Sequence, residues 1–344
     1  MRVGDFTEGE LIARIRARLP SPPGWVLVGI GDDAAVVEPA RNRVEVLSVD
    51  GLVEGVHFDR AFVPAQAIGH RALAVNLSDL AAMGATPRLA LLSLALPEAW
   101  PVGELDEMIA GLAALAARHH LHVVGGNLTR SPGPLMIDVT VEGTVKRRHT
   151  LERRGARAGD EVYVSGTIGA AGAGLGWLRQ CRGASIPIDM ANAVERYLRP
   201  EPRVELGTLL ARNRAASACI DLSDGLADAV HQMAESSGIG IVIDAEALPV
   251  DPGARTFFER SGRDAILEAA TAGDDYELLF AVSPGARRRL TTVAKYRGKG
   301  SSDVPFTRIG KCTDDGQVCL QRPAGDGSAM TSAVTLPRGY SHFR

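Results

Sequence analysis

Ser217-Ala218-Cys219-Ile220 runs straight into Asp221-Leu222-Ser223-Asp224-Gly225, a short apolar segment followed by two carboxylates, a hydroxyl and a glycine. From residue 226 to 237 apolar positions recur at the helical period, so the acidic turn is expected between a buried strand and a helix. The same alternation extends in both directions. Upstream, Val26-Leu27-Val28 and Val44-Glu45-Val46-Leu47-Ser48 read as strands. Residues 64–83 read as a helix, with Ile68, Ala72, Val75 and Leu80 on one stripe, Pro64 in its first turn and Gly84 as its stop. A strand at 89–96, a helix at 102–119 and strands at 122–124 and 135–144 complete this half. Residues 146–159 are basic and aperiodic and read as a linker. Beyond them strands are expected at 161–165, 241–244, 278–282, 307–311 and 317–321, helices at 170–180 and 203–212, and a polar loop at 322–332. The fold class expected is α/β (α+β) in two domains, 1–145 and 146–344.

Length agrees with that division. A chain of 344 residues exceeds one ordinary core and suits two domains of roughly 150–170 residues. Apolar residues make up 45% and charged residues 23%, a globular balance that argues against disorder. A net charge of -3 gives no long-range attraction to nucleic acid or anionic membrane, so neither is expected as a partner. No apolar run approaches the roughly 18 residues of a membrane span. Cys181, Cys219, Cys312 and Cys319 form neither a C-x-x-C site nor a disulfide framework. Asp5, Glu8 and Glu10 stand where a secretory signal would be basic and then apolar, and the expected location is cytoplasmic.

Aspartates at strand ends and on one helix face are the chemical feature. Gly29-Ile30-Gly31-Asp32-Asp33 follows an apolar strand, and Ser48-Val49-Asp50 ends another. Each has a plain alternative as a surface turn. Asn76 and Asp79 are three apart and share a helix face, Asp79 amid Leu77, Leu80 and Met83, where an unpaired carboxylate is costly. Helix capping is the competing account of Asp79, and of Ser223 and Asp224. As a set, Asp33, Asp50, Asp79, Asp221 and Asp224 would repel one another if turned toward one crevice, and hard divalent cations resolve that repulsion. Mg²⁺ favours one or two carboxylates plus phosphate oxygens, which points to phosphate chemistry. No G-x-x-x-x-G-K-[ST] loop is present to do this otherwise. Gly125-Gly126-Asn127 follows a strand and reads as a turn or as a backbone approach to phosphate. Gly169, Gly172, Gly174 and Gly176 sit inside an Ala-rich helical pattern and are set aside. His57 is a donor to a ligand or a structural histidine, and Gly273-Asp274-Asp275-Tyr276-Glu277-Leu278 either contacts a ligand or shapes the turn into a strand. Asn76-Leu77-Ser78-Asp79 echoes Asp221-Leu222-Ser223-Asp224, compatible with two similar domains.

In this order the motifs resemble the thiamine-monophosphate kinase family, part of the ATP-binding superfamily that also holds aminoimidazole ribonucleotide synthetase, selenophosphate synthetase and a hydrogenase-maturation protein. The resemblance runs from Gly4-Asp5-Phe6 to Gly339-Tyr340-Ser341-His342-Phe343. Gly51-Leu52-Val53-Glu54-Gly55-Val56-His57-Phe58 and Asp275-Tyr276-Glu277-Leu278 separate this family from its superfamily relatives. It implies transfer of the γ-phosphoryl of ATP directly onto thiamine monophosphate, giving thiamine diphosphate and ADP, with several Mg²⁺ ions and no general base. It implies metal ligands at Asp33, Ser48, Asp50, Asp79, Asn127, Asp221 and Asp224, ATP contacts at Gly125, Gly126, Arg153 and Ser223, and thiamine phosphate contacts at His57, Asp274 and Tyr340. It also implies a homodimer in which the N-terminal sheet forms a barrel with its partner's, the C-terminal domain packing beside it. The chain departs from the family at Asn127, where many members carry Asp, and at Asp274, where members usually carry Glu. Two other classes fit the aspartates: an ATP-cleaving synthetase of the same superfamily, and a non-catalytic nucleotide- or cation-binding module.

Overall fold

Reciprocal capping starts the chain's first helix, α1 (Glu8–Arg16): the Thr7 hydroxyl accepts from the Glu10 N–H, and the Glu10 carboxylate accepts from the Thr7 N–H. The short strands β1 (Val26–Val28) and β2 (Val36–Val37) pair antiparallel and enclose the loop from Gly29 to Asp33. Then come β3 (Val44–Val53), α2 (Ala65–Ala82), β4 (Thr86–Pro97), α3 (Val102–Arg118), β5 (His122–Ser131) and β6 (Met136–Val145). The four long strands form one sheet in the order β3-β6-β4-β5. β4 and β5 run parallel, joined by α3, and the other pairings are antiparallel. The computed structural model describes residues 1–181, 183–296, 304–323 and 331–339. They divide into one unit of Met1–Leu80 with Ala85–Arg147, and a second of Ala81–Gly84 with the chain from Arg148 onward.

Strand alternation sorts the first sheet into two unlike faces. Ile137, Val139 and Val141 of β6 and Leu92 and Leu94 of β4 are buried on the face that carries α2. α2 is buried around almost its whole circumference, Ile68, Leu73, Leu77 and Leu80 fully enclosed and His70, Arg71, Asn76 and Ser78 buried with them. Each such Leu contributes about 2 kcal/mol by leaving water. The opposite face exposes Leu47, Val49, Leu91 and Met136, with Val49 and Leu91 flanking Thr140 in one row.

The second unit comprises β7 (Glu161–Ser165), α4 (Ala170–Gln180), α5 (Ala191–Leu198), α6 (Val204–Asn213), β8 (Ala218–Asp221), α7 (Leu226–Ser237), β9 (Gly240–Asp244), α8 (Pro252–Arg260), α9 (Ala265–Thr271), β10 (Leu278–Val282), α10 (Arg287–Tyr296), β11 (Phe306–Thr313), β12 (Val318–Pro323) and β13 (Thr331–Thr335). Its seven strands are ordered β13-β12-β9-β11-β7-β10-β8. β10 is buried along its whole length between β7 and β8, and this pairing sets Leu278 opposite Asp221. Phe280 of β10 stacks on Tyr163 of β7 with centroids 5.6 Å apart.

Both units are mixed α/β, as expected, and among the described residues neither sheet closes into a barrel. Four differences from the sequence reading have clear causes. β5 does not stop at Val124 but continues through Gly125 and Gly126 to Ser131, because its neighbour β4 is long enough to pair with it throughout. The loop expected at 322–332 is shortened by β12 and β13 at its two ends, and residues 324–330 lie outside the described residues. Helices α1, α5, α8, α9 and α10 were not expected because each is only 7–10 residues long, too short for its periodic pattern to stand out from its neighbours. The echo between Asn76–Asp79 and Asp221–Asp224 is not structural, since the first lies in α2 and the second in a strand-to-helix turn.

Candidate functional site

Ser48 and Asp50 are two apart on β3 and therefore share a face, the one toward α2. The Ser48 hydroxyl donates to Asp79 Oδ2, and the Asp50 N–H donates to Asn76 Oδ1 at 3.0 Å. Asn76 is fully buried and its Nδ2 donates to the Ala72 carbonyl at 3.1 Å, so its amide stitches helix to strand beside Asp50. Helix α2 starts at Ala65, which places Asp79 in its last turn and removes the N-cap account. A carboxylate at the negative end of a helix dipole is disfavoured unless a donor or cation answers it. The Ser48 hydroxyl is one such donor.

The loop carrying Asp32 and Asp33 runs beside β5, with Gly29 against the Val124 carbonyl and Ala35 against Gly125. The Asp33 N–H donates to Asp32 Oδ1 at 2.8 Å, a bond local to the turn, and Asp33 is exposed. At Gly126 the Leu92 carbonyl of β4 approaches so closely that no Cβ could be accommodated. That packing accounts for the glycine without a ligand. Asn127 pairs with Ser93, Ser93 with Asp138, and Asp138 with Gly51, so Asn127 shares the face of Gly51. Ser48 and Asp50 lie on the other face, and the structure does not gather Asn127 with them. His57 Nδ1 accepts from the Val53 N–H at 3.0 Å, so a neutral ring carries its proton on Nε2.

In the second unit Asp221 closes β8, nearly buried, while Ser223 is exposed and Asp224 half-buried. Helix α7 begins at Leu226 with Gly225 in the cap position and no side-chain cap. The capping account of Ser223 and Asp224 therefore fails. This turn is laced to the Asp274 segment by three backbone bonds: Asp274 N–H to the Ser223 carbonyl (2.7 Å), Tyr276 N–H to that of Leu222 (3.0 Å), and Leu222 N–H to that of Glu277 (2.9 Å). Asp274 and Tyr276 both adopt left-handed backbone, φ +70 and +50, and the Tyr276 hydroxyl donates to Asp274 Oδ1 at 3.0 Å. Arg153 Nη1 donates to Gln232 of α7 at 2.5 Å. Gly339 lies on the Asp224 carbonyl, and Tyr340 is outside the described residues. Gly172 and Gly174 of α4 abut Ala272 and the Ala193 carbonyl, so those glycines serve helix packing, as the sequence indicated.

A buried ionic cluster behind this segment had no signal in the sequence. Glu277 is fully enclosed and accepts from Arg203 Nε (2.6 Å) and Nη2, Arg196 Nη2 (2.7 Å) and Ser165 Oγ (2.5 Å). Burial alone would raise its pKa, but Arg203 and Arg196 outweigh that and hold the carboxyl below its ordinary range. Asp275, also enclosed, is pushed up to about 7 by burial, against the pull of Arg196 and of the Gly169 and Ala171 N–H groups.

These residues suit a hard cation in kind. Within each unit the side-chain donors, at Ser48, Asp50 and Asp79 in the first and at Asp221, Ser223 and Asp224 in the second, are all oxygen, the kind Mg²⁺ accepts. Among the described residues no three or more His, Cys, Asp or Glu side chains stand together in a group that could hold a metal ion by themselves.

Residues 31–145 match the family described as AIR synthase related protein, N-terminal domain, and residues 157–321 match its C-terminal domain. The thiamine-monophosphate kinase of Salmonella typhimurium is 38% identical over 346 residues, covering 100% of this chain and 99% of its own. That of Bacillus subtilis is 32% identical, with 92% and 94% covered. Among solved structures, thiamine-monophosphate kinase from Stenotrophomonas maltophilia K279a superimposes with a TM-score of 0.80 at 39% identity, covering 96% of this chain and 99% of that one. A complex of AaThiL with AMPPCP and TMP gives 0.74 at 32% identity, covering 100% and 99%. With both halves of the fold matched and full-length relatives at this level of identity, the chain belongs to the thiamine-monophosphate kinase family.

Proposed function

We propose that this protein transfers the γ-phosphoryl group of ATP to thiamine monophosphate, forming thiamine diphosphate and ADP. The observation that carries this reading is the backbone lacing of the Asp221–Asp224 turn to the Asp274 segment, which ties a turn suited to a cation to an acid suited to the substrate. The acceptor phosphate is already ionised at neutral pH, so the protein has no proton to remove and its work is positioning and charge cancellation. Mg²⁺, when bound, screens the two polyanions and fixes the phosphates for in-line attack.

The proposed metal ligands are, in the first unit, Ser48, Asp50 and Asp79, held by Asn76 and the end of α2, with Asp33, and, in the second, Asp221 and Asp224; Asn127, on the other sheet face, stands apart from Ser48 and Asp50. Gly125, Gly126, Arg153 and Ser223 are proposed to contact ATP. His57 would donate through Nε2 to the thiamine phosphate, while Asp274 and Tyr340 would hold the thiamine portion. In this reading residues 1–145 bind ATP and metal and carry the dimer contact, and residues 146–344 complete the nucleotide and substrate sites. The exposed Leu47, Val49, Leu91 and Met136 support a homodimer in which this sheet face meets its counterpart as a shared barrel. The reading includes a cytoplasmic location; among the described residues no helix is long and apolar enough to cross a membrane.

Incubation with ATP, Mg²⁺ and thiamine monophosphate tests the reaction directly. Equal amounts of ADP and thiamine diphosphate are expected. ADP without thiamine diphosphate would overturn the kinase reading in favour of a synthetase.

A further inference from the structure

We propose that Arg196, acting with Arg203 and Ser165 on the buried Glu277, is a positioning residue that sets the conformation in which Asp274 meets thiamine monophosphate. The proposal rests on the substrate role of Asp274 given above and adds the machinery that maintains it. Residues 274–277 alternate in character. Asp274 and Tyr276 are at left-handed φ, a region that aspartate visits readily but a bulky tyrosine enters only when held there. Asp275 and Glu277 are the enclosed anchors.

The anchors act on the torsions themselves. The Asp275 carboxylate accepts from the Gly169 and Ala171 N–H groups at 2.6 and 3.2 Å, at the start of α4. Arg196 Nη2 donates both to the Asp275 carbonyl and to Glu277 Oε1, each at 2.7 Å. That carbonyl belongs to the peptide unit joining Asp275 to Tyr276, so fixing it fixes the rotation on both sides. The Tyr276 hydroxyl then reaches Asp274 Oδ1 at 3.0 Å. Arg196 is thus connected to the Asp274 carboxylate through a peptide plane and one phenol. Ser165 closes the far end, its hydroxyl donating to Glu277 and accepting from the Leu278 N–H at 2.9 Å. Arg196 and Arg203 answer the buried carboxyls of Glu277 and Asp275, but buried ion pairs add little net stability over apolar packing, and only Arg196 also holds the Asp275 carbonyl. Geometry is what the second arginine supplies.

Arg196→Leu tests this, because Arg203 remains to neutralise Glu277. Initial rates are measured with each substrate varied, well below the melting temperature. The expected result is a KM for thiamine monophosphate raised about tenfold with KM for ATP changed less than about twofold, and Arg196→Lys restoring most of the loss. In an Asp274→Asn background, Arg196→Leu should add less than about a further twofold, since its effect passes through the missing charge. An unchanged KM for thiamine monophosphate, or a second full increment in the Asp274→Asn background, overturns the proposal. Normal KM in Asp274→Asn alone removes the substrate role of Asp274, whereas raised KM there with normal KM in Arg196→Leu removes only the clamp. If Arg196→Leu does not fold, Ser165→Ala leaves every charge in place and carries the same test. An unchanged KM in that variant overturns the proposal equally.

Discussion

Substitutions at Asp274 should separate a charge from a backbone conformation. At φ +70 the aspartate sits where Asp and Asn are tolerated and Ala is not, and its Oδ1 accepts from the Tyr276 hydroxyl. Asp274→Ala therefore incurs about 1 kcal/mol of backbone strain and removes a hydrogen bond worth about 1 kcal/mol. For a unit of this size the sum corresponds to a melting temperature lower by about 4–8 °C. Asp274→Gly enters the same φ freely but still gives up the hydrogen bond, about 1 kcal/mol, while Asp274→Asn keeps both the acceptor and the tolerance, so stability should fall least in Asn, more in Gly and most in Ala. All three remove the carboxylate charge. If that charge offsets the thiazolium or accepts from the aminopyrimidine, a contact of about 1.4 kcal/mol disappears and KM for thiamine monophosphate rises about tenfold in each. KM for ATP should hardly move, and Asp274→Glu should remain active. The assay is initial velocity against each substrate, paired with calorimetric melting. The reasoning is refuted if Asp274→Asn and Asp274→Gly bind thiamine monophosphate normally while only Asp274→Ala, the least stable, is impaired, for then the residue merely shapes the entry to β10.

The parts of this molecule that were legible in the sequence are those whose cause is local. α2 was readable from Pro64, a 3.6-residue stripe and Gly84, and it spans Ala65–Ala82. The Asp221–Gly225 turn stood out because a strand and a helix bracket it. β5 was cut short for a non-local reason: Gly125 and Gly126 look like a turn until β4 lies beside them and leaves no room for a Cβ at Gly126. Helix α10 was missed because Arg287, Arg288 and Arg289 hide its two buried positions, Leu290 and Val293. Within the site, the Asn76 and Asp79 spacing pointed to one helix face, and the structure adds Ser48 and Asp50 from β3 to it. Arg196 and Arg203 could not be found this way. They stand 81 and 74 residues before Glu277, on separate elements, and no spacing rule joins them. Pro200 and Pro202 break the helical register that would have put the two arginines on one face.

Three further outcomes follow from the same geometry. Asp50→Asn and Asp224→Asn should each fold yet lose most turnover, because each relieves repulsion in the metal-free protein while giving up a ligand; activity should vanish with chelator and return with Mg²⁺. Near-normal rates at saturating Mg²⁺ in both variants would remove them from the metal set. Replacing Leu47 and Val49 together by Arg should give monomers in sedimentation velocity, since each side chain stands to bury about 2 kcal/mol at a dimer contact. A dimer of unchanged strength would move the interface elsewhere. The last outcome concerns pH. Asp275 has its carboxyl raised by burial to about 7 from an ordinary 3.8, with Glu277 adding to the rise and Arg196 and the Gly169 and Ala171 N–H groups opposing it. A group bound to its proton more tightly in the folded state contributes stability that is complete below pH 3.8 and is lost as pH rises through about 7. Asp275→Asn cannot ionise and still offers a carbonyl to one of the two α4 amides. Its melting temperature should therefore fall less than the wild type's between about pH 5 and pH 8, the two curves converging toward acid. Arg203, held above its ordinary range, and Glu277, held below its own, keep their charges across that range, so the difference between the curves isolates Asp275. Parallel curves would show that the two amides and Arg196 already hold Asp275 ionised throughout.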